Sequence, residues 1–317
     1  MSPITVSLPD GKALSVDEGS TVLSVAEMIG PGLAKAALAG RIEGRLVDLR
    51  LPLHDNVALE IVTSRDPDGG DVLRHSAEHV MADAVKRLFP DAQVDAGRAD
   101  HSEKFQYDFL VAEPFTPEDL EKIEAEMQRI LGEKAAFSRE VVSRDEAKAL
   151  FADMGEELKL ERLADIPDGQ DITLFRHGGF VDLCRGPHVQ NTGQIGAVKL
   201  LESSGVYFKG DESGPKLQRI YGTAFADKKA LKAHLARIEE AKKRDHRVLG
   251  KQLELFTISP TVGSGLVLWQ PKGAIIRGAM ESFVKDELQR RGYLPVYTPN
   301  IGRQELYEIS GHYPYYA

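Results

Sequence analysis

The stretch "VDLCRGPHV" (residues 181–189) holds the one cysteine of the chain, Cys184, with His188 four places on. Well upstream, "RHSAEHV" carries His75 and His79 at the same spacing. On a helix, residues four apart stack on one face, so His75 and His79 would point the same way. Together with Cys184 and His188 they could make a His₃Cys set, the composition of a tetrahedral metal site. The same residues could form a Cys–His nucleophilic pair, with His188 or a helix histidine activating the thiol. Arg185 and the Gly186-Pro187 turn would then favour a thiolate on an exposed loop. The zincin helix motif is excluded, because Ser76 rather than a glutamate follows His75. A lone cysteine is also commonly just a buried small residue, and spacing leaves all these readings open.

The elements that must position these residues are legible in outline. The first histidine pair falls in a helix capped near Asp71 and stopped by Pro90. Its apolar arc is Ala77, Val80, Met81, Ala84, Val85 and Leu88. The histidines lie across from that arc, which predicts a surface pair or a pair facing a cleft. Two further helices are announced by Thr116–Pro117–Asp119 and by a Ser143–Glu146 capping box, the latter stopped by Gly155. The strand-like runs "FQYDFLV", "ITLFRHGGFVDL", "AVKLLESSGVYFKG" and "LQRIYGTAF" complete a unit of helices on a largely antiparallel sheet.

Before this unit, residues 4 to 64 predict a hairpin around Asp10-Gly11, a helix through "VLSVAEMI" ended by Gly30-Pro31, and strands in "RLVDLRLPL" and "VALEIVT". That order is a β-grasp, ubiquitin-like module. After it, residues 227–252 form a charged helix without a wide apolar face, and a last helix runs through "AIIRGAMESFVKDELQRRG". The composition, 42% hydrophobic and 28% charged, is that of a soluble globular protein with real cores. No apolar run is long enough for a membrane span, no signal peptide opens the chain, and a single cysteine suits a reducing cytosol. The net charge of −9 argues against a general nucleic-acid coat while leaving room for local basic patches.

Taken together, "RHSAEHV", "FVDLCRGPHV", "RIYGTAFADKKAL" and "AKKRDHRVLGKQLELF" resemble the N-terminal half of the bacterial threonyl-tRNA synthetases, in the same order and over essentially the whole chain. The resemblance implies an α+β multidomain protein. Its parts are a TGS domain of β-grasp fold (residues 1–64), an editing domain of helices on an antiparallel sheet (65–225), a helical linker (226–250) and the truncated start of a class II catalytic domain (251–317). In the last, "ESFVKDELQRRGYLPVYTPNI" resembles motif 1, a long helix, a strand and a proline, here Pro299, which builds a homodimer interface in the family. The sequence ends at "GHYPYYA", ahead of the family's motifs 2 and 3. The expected activity is therefore hydrolysis of mischarged Ser-tRNA(Thr), not threonylation. ATP with magnesium and one zinc are expected of the full-length enzyme at sites outside this chain.

The same resemblance assigns catalytic roles to His75, His79, Lys159, Cys184 and His188, and substrate binding to Asp182 and Tyr107. Asp182 would take the seryl ammonium. His75 would contact the terminal ribose and organise water, while Cys184 lines a metal-free pocket. A proofreading site answers a physical need, since one methyl is worth only about 1–3 kcal/mol of discrimination. Threonine, by contrast, clashes in a pocket cut for serine. Lys242, Lys243, Arg244 and Arg247 are candidates for tRNA phosphate contact, and the enzyme would be cytoplasmic with tRNA(Thr) as its partner. A zinc hydrolase using His75, His79, Cys184 and His188 is an alternative. Another is a non-catalytic fragment that binds tRNA or dimerises. Residues 251–317 are expected to expose apolar surface and to be marginally stable on their own.

Overall fold

Alternating apolar residues in "ITVSL" and "ALSVD" produce the hairpin that opens the computed structural model, which describes residues 3–263 and 265–313. β1 (Pro3–Ser7) and β2 (Ala13–Asp17) pair antiparallel, with Gly11 at φ +83° in the turn between them. α1 (Val22–Ile29) begins where the Thr21 side chain accepts a hydrogen bond from the Ser24 amide. Pro31, expected only as a stop, instead starts α2 (Pro31–Ala36), a position where its missing N–H costs nothing. β3 (Ala37–Ile42), β4 (Arg45–Val47) and β5 (Val57–Thr63) follow. The run "RLVDLRLPL" is a strand only over its first three residues, because Asp48 accepts from the Arg50 amide at 2.9 Å and turns the chain. The sheet order β2-β1-β5-β3-β4, with β1 and β5 parallel, is that of a β-grasp.

The second part of the same compact unit, which extends to Leu235, starts with α3 (Gly69–Leu88). This helix begins two residues before the expected cap at Asp71. Then come β6 (Gln93–Gly97), β7 (Phe105–Leu110), α4 (Pro117–Glu133), β8 (Phe137–Val142), α5 (Arg144–Asp153) and α6 (Glu157–Ala164). β9 (Ile172–His177), β10 (Phe180–Leu183), β11 (Ala197–Tyr207) and β12 (Lys216–Phe225) complete it. Both predicted capping boxes, Thr116–Asp119 and Ser143–Glu146, are formed. The strands make two antiparallel sheets rather than one, β10-β9-β8 and β11-β12-β7-β6. α3 and α4 share a core with the larger sheet through Val80, Met81, Ile123, Met127, Phe105 and Ile220. α5 and α6 cover the smaller sheet through Phe151, Leu163 and Leu174. Leu88, placed on the apolar arc of α3 by periodicity, is exposed. It is the last residue of the helix.

The β-grasp module does not stand apart from this core. Leu38, Ala39 and Val62 from β3 and β5 are buried in the same cluster as Val72, Leu73 and Ala77 of α3. Fully buried aliphatic side chains are worth roughly 1.5–3 kcal/mol each, so the joint between the two folds is itself hydrophobic core.

The single charged helix expected over 227–252 is two: α7 (Lys228–Lys243), which buries no residue, and α8 (His246–Gln252). The break comes at Asp245, whose side chain caps α8 by accepting from the Arg247 amide at 2.7 Å. A second compact unit begins at Ala236, inside α7. It contains β13 (Phe256–Ile258), β14 (Val267–Trp269), α9 (Pro271–Arg290) and α10 (Gln304–Ile309). The strand expected in "YLPVYTPNI" is not formed. A strand exists only as one side of a hydrogen-bonded ladder, and no described strand pairs with this segment. Among the described residues no helix is long and apolar enough to cross a membrane.

Candidate active site

α3 carries His75 and His79 on one face, and the loop after β10 brings Cys184 and His188 against them. Cys184 Sγ lies 3.2 Å from His75 Nε2 and 3.3 Å from His188 Nε2. The rings of His75 and His188 are 4.2 Å apart, and those of His79 and His188 are 4.3 Å apart. Of the two predicted settings for the helix pair, the cleft is realised. His75 and His79 line a cavity of about 880 Å³ with Tyr107, Lys159 and Cys184. His79 and His188 are themselves buried.

Burial dominates the electrostatics. It depresses His75 to about 4 and holds His79 and His188 well below the usual imidazole range. It also pushes the Cys184 thiol up. All three imidazoles are thus neutral at pH 7, each with a lone pair able to take a proton, and the sulfur is a protonated thiol and a poor nucleophile. The ligating atoms of His75, His79, Cys184 and His188 lie within 4.8 Å of one another. In composition this set fits a tetrahedral zinc, which would have to convert Cys184 to its thiolate.

Beside the neutral cluster lies a charged one. Lys159, from α6, forms an ion pair with Asp182 of β10 and donates to the Tyr107 hydroxyl at 2.8 Å. That hydroxyl in turn donates to Asp182. The second Asp182 oxygen accepts from the Leu183 amide at 2.7 Å, and His79 Nε2 stands 3.8 Å from the carboxylate. All three side chains are buried, and burial raises the Tyr107 phenol above its ordinary range. Lys159 and Tyr107 reach the large cavity. Asp182 does not line it, facing instead a smaller one of about 290 Å³ behind Lys159.

Two polar residues of the cleft were not singled out from sequence. Glu78, one helical turn from His75, bonds His101 Nε2 at 2.9 Å and accepts from the Arg98 amide at 2.9 Å. Burial raises the Glu78 carboxyl to about 8 and lowers His101 to about 4. Their ligating atoms and that of His75 also lie within 4.8 Å of one another. The i, i+3 spacing of His75 and Glu78 was available as a signal; His101, in the loop after β6, offered none. Ser76 ties the helix to the cysteine loop, accepting from the Val189 amide at 3.0 Å and lying 3.3 Å from His188 Nδ1.

The four basic linker residues are exposed, and each has an acid nearby on its own segment. Lys242 pairs with Glu239 at 2.9 Å, and Lys243 and Arg244 pair with Glu240 at 3.8 and 3.0 Å. Arg247 pairs with Asp245 at 2.7 Å. They belong to the second compact unit, and the histidine cluster belongs to the first.

A β-grasp module joined to this His/Cys cleft defines a class of protein. Residues 4–63 match the family described as the TGS domain. Residues 172–221 match the threonyl and alanyl tRNA synthetase second additional domain. Within that class, the chain is homologous over essentially its whole length to the threonine–tRNA ligases. It is 51% identical over 311 residues to the threonine–tRNA ligase of Nitrosococcus oceani, covering 98% of this chain and 48% of that protein. Against the enzyme of Pelobacter propionicus it is 50% identical over 316 residues, 100% of this chain and 49% of the relative. For Geobacillus kaustophilus the figures are 49% over 313 residues, 99% and 48%. The chain spans about half the length of the curated relatives it matches.

Proposed function

We propose that the cleft hydrolyses the ester of mischarged Ser-tRNA(Thr), sparing Thr-tRNA(Thr). The observation that supports this most is the juxtaposition of neutral imidazoles with a buried lysine in one cavity large enough for an aminoacylated ribose. Hydrolysis needs a positioned water, an acceptor for its proton, and donors at the developing oxyanion. His75, exposed to the cavity and neutral at pH 7, accepts the proton, and His79 and His188 orient the water. Lys159 and Tyr107 supply donors for the oxyanion. Asp182, which faces the smaller cavity behind Lys159, takes the seryl ammonium once Lys159 moves aside and opens it to the cleft, because the Lys159 ammonium already occupies the same carboxylate. Cys184 is a pocket wall whose raised pKa suits it to that part.

In this reading residues 1–64 are the TGS domain, 65–225 the editing domain, 226–250 the linker and 251–317 the opening of a class II catalytic domain. The last would contribute to a homodimer. tRNA(Thr) is the partner, with Lys242, Lys243, Arg244 and Arg247 as phosphate contacts that must leave their acidic neighbours to serve. No cofactor is assigned to the cleft. ATP, magnesium and one zinc belong to the full-length enzyme, and its setting is cytoplasmic.

The test is deacylation of Ser-tRNA(Thr) and Thr-tRNA(Thr) by the chain, beside His75→Ala. Selective loss of serine, slowed about 10²–10⁴-fold by the substitution, is expected. Equal hydrolysis of both esters, or an unaffected variant, would sink the assignment.

A further inference from the structure

The cysteine loop is held by the TGS domain as well as by the editing domain. Arg50, from the loop after β4, donates through Nε to the Phe137 carbonyl at 2.8 Å. Its Nη1 reaches the His188 carbonyl at 3.4 Å, and its Nη2 reaches those of Val189 at 2.9 Å and Gln190 at 3.3 Å. Asp48 completes the arrangement. One carboxylate oxygen accepts from Arg50 Nη1 at 3.0 Å, and the other accepts from the His188 amide at 3.0 Å. Asp48 is buried. The loop returns the contact, since Gln190 Nε2 donates to the Ala34 and Ala37 carbonyls of α2 and β3 at 2.7 and 2.9 Å.

A guanidinium offers five N–H donors in a rigid fork, and here they are spent on successive loop carbonyls and a neighbouring strand. Buried carbonyls without donors are costly; Arg50 supplies donors to those of His188 and Val189, and it shares the Gln190 carbonyl with the Phe137 amide, which donates to it at 2.9 Å. Phe137, whose carbonyl Arg50 also holds, stacks on the His188 ring with centroids 5.1 Å apart and planes 12° from parallel. Arg50 therefore holds both the backbone of His188 and that of Phe137, on which the ring lies, while Asp48 holds the His188 amide. A further TGS residue, Leu46 of β4, lines the large cavity.

We infer that Asp48 and Arg50 are positioning residues of the hydrolytic site, fixing His188 against Cys184 and His75, so that the site is complete only with the TGS domain docked. The inference rests on the hydrolytic reading of the cleft, but its geometry can be tested without it. Cys184, the one cysteine of the chain, is half-buried with its Sγ held between His75 and His188, and it reports on the loop's closure through alkylation by iodoacetamide.

The experiment compares the full chain with Arg50→Ala, Arg50→Lys, Asp48→Asn and, as a control at the exposed hairpin turn, Lys12→Ala. For Arg50→Ala, kcat for Ser-tRNA(Thr) should fall about 10²-fold with KM changed no more than about 3-fold, because misplacement by about 1 Å costs that much. Alkylation of Cys184 should quicken at least about 10-fold as the loop opens locally. Arg50→Lys, a point charge in place of a fork, should shift both readouts in the same direction by less, and it carries the test if Arg50→Ala does not fold. Lys12→Ala should leave both unchanged. Folded Arg50 variants whose kcat and alkylation rate stay within about twofold of the parent would overturn the inference. Were the parent chain itself to leave Ser-tRNA(Thr) intact, the hydrolytic reading would fall. Alkylation alone would then decide the anchoring: faster in the Arg50 variants supports it, unchanged overturns it.

Discussion

α3 and α9 are both twenty-residue helices, and each carries apolar residues at helical spacing. α3 is buried on nearly every side between Gly69 and Val85, its polar face included. α9 buries only Gly273, leaving Ile275, Met280, Phe283 and Leu288 exposed. The difference lies in what the rest of the chain places against each helix. α3 has a sheet and α4 on its apolar face, and the β6–β7 loop and the cysteine loop on its polar one. Three of its buried polar groups, which would be costly alone, have partners there: Glu78 has His101, Ser76 has the Val72 carbonyl, and Arg74 has Asp71. α9 has apolar side chains of the size that elsewhere make cores, and an exposed patch of that kind marks a surface meant to be covered.

The comparison can be broken most severely at the charged group under α3. Lys159→Met leaves Asp182 buried beside Tyr107 without its cation, which should cost about 3–5 kcal/mol. Urea denaturation reads this directly, and a loss below about 1 kcal/mol would mean that the carboxylate finds water or another donor.

A second test uses pH. The Glu78 carboxyl is held at about 8, against 4.5 for an ordinary glutamate. The fold therefore favours the protonated acid, and the stability this contributes below pH 4.5 is lost as pH rises through 8. Glu78→Gln keeps the hydrogen-bonding shape but does not titrate. Relative to the parent it should gain roughly 2–5 kcal/mol between pH 5 and pH 9. His75 and His101, each depressed to about 4, act in the opposite sense. Their contribution is whole above pH 6.5 and is lost as pH falls toward 4, so acidification should destabilise Glu78→Gln more steeply than the parent. A difference between the two proteins that stays flat with pH would contradict the raised carboxyl.

The sharpest form of the comparison is one substitution made twice. Met81, fully buried in α3, and Met280, 63% exposed in α9, are both replaced by alanine. Met81→Ala should cost about 2–5 kcal/mol. Met280→Ala should stay within about 0.5 kcal/mol and leave deacylation unchanged. Comparable losses would show that α9 is packed in solution.

Much of the fold was legible because its signals are local. The Thr116 and Ser143 caps, the Asp10-Gly11 turn and the β-grasp order of elements all depend on residues a few positions apart. The failures are equally instructive. Pro31 stops one helix and starts the next, since φ near −65° without an N–H suits both positions. Asp48 ended a strand that alternation would have continued. Residues 293–299 have strand-like composition, but no described strand pairs with them. The candidate site was legible in its four His/Cys members, which share the i, i+4 spacing, whereas Tyr107, Lys159 and Asp182 came from family resemblance and not from any local pattern.

Sequence by itself determined which residues could share a helix face, where the helices are capped, and that His75 and His79 point the same way, toward solvent or toward a cleft. Tertiary structure alone decided that they meet the Cys184–His188 loop, that Lys159 reaches Asp182 from another helix, and that Arg50 of one domain holds the backbone of the next. The reason is physical. Caps and periodicity are set by hydrogen bonds and geometry within a turn or two, while the protonation state of a histidine or a glutamate is set by how much water remote segments remove.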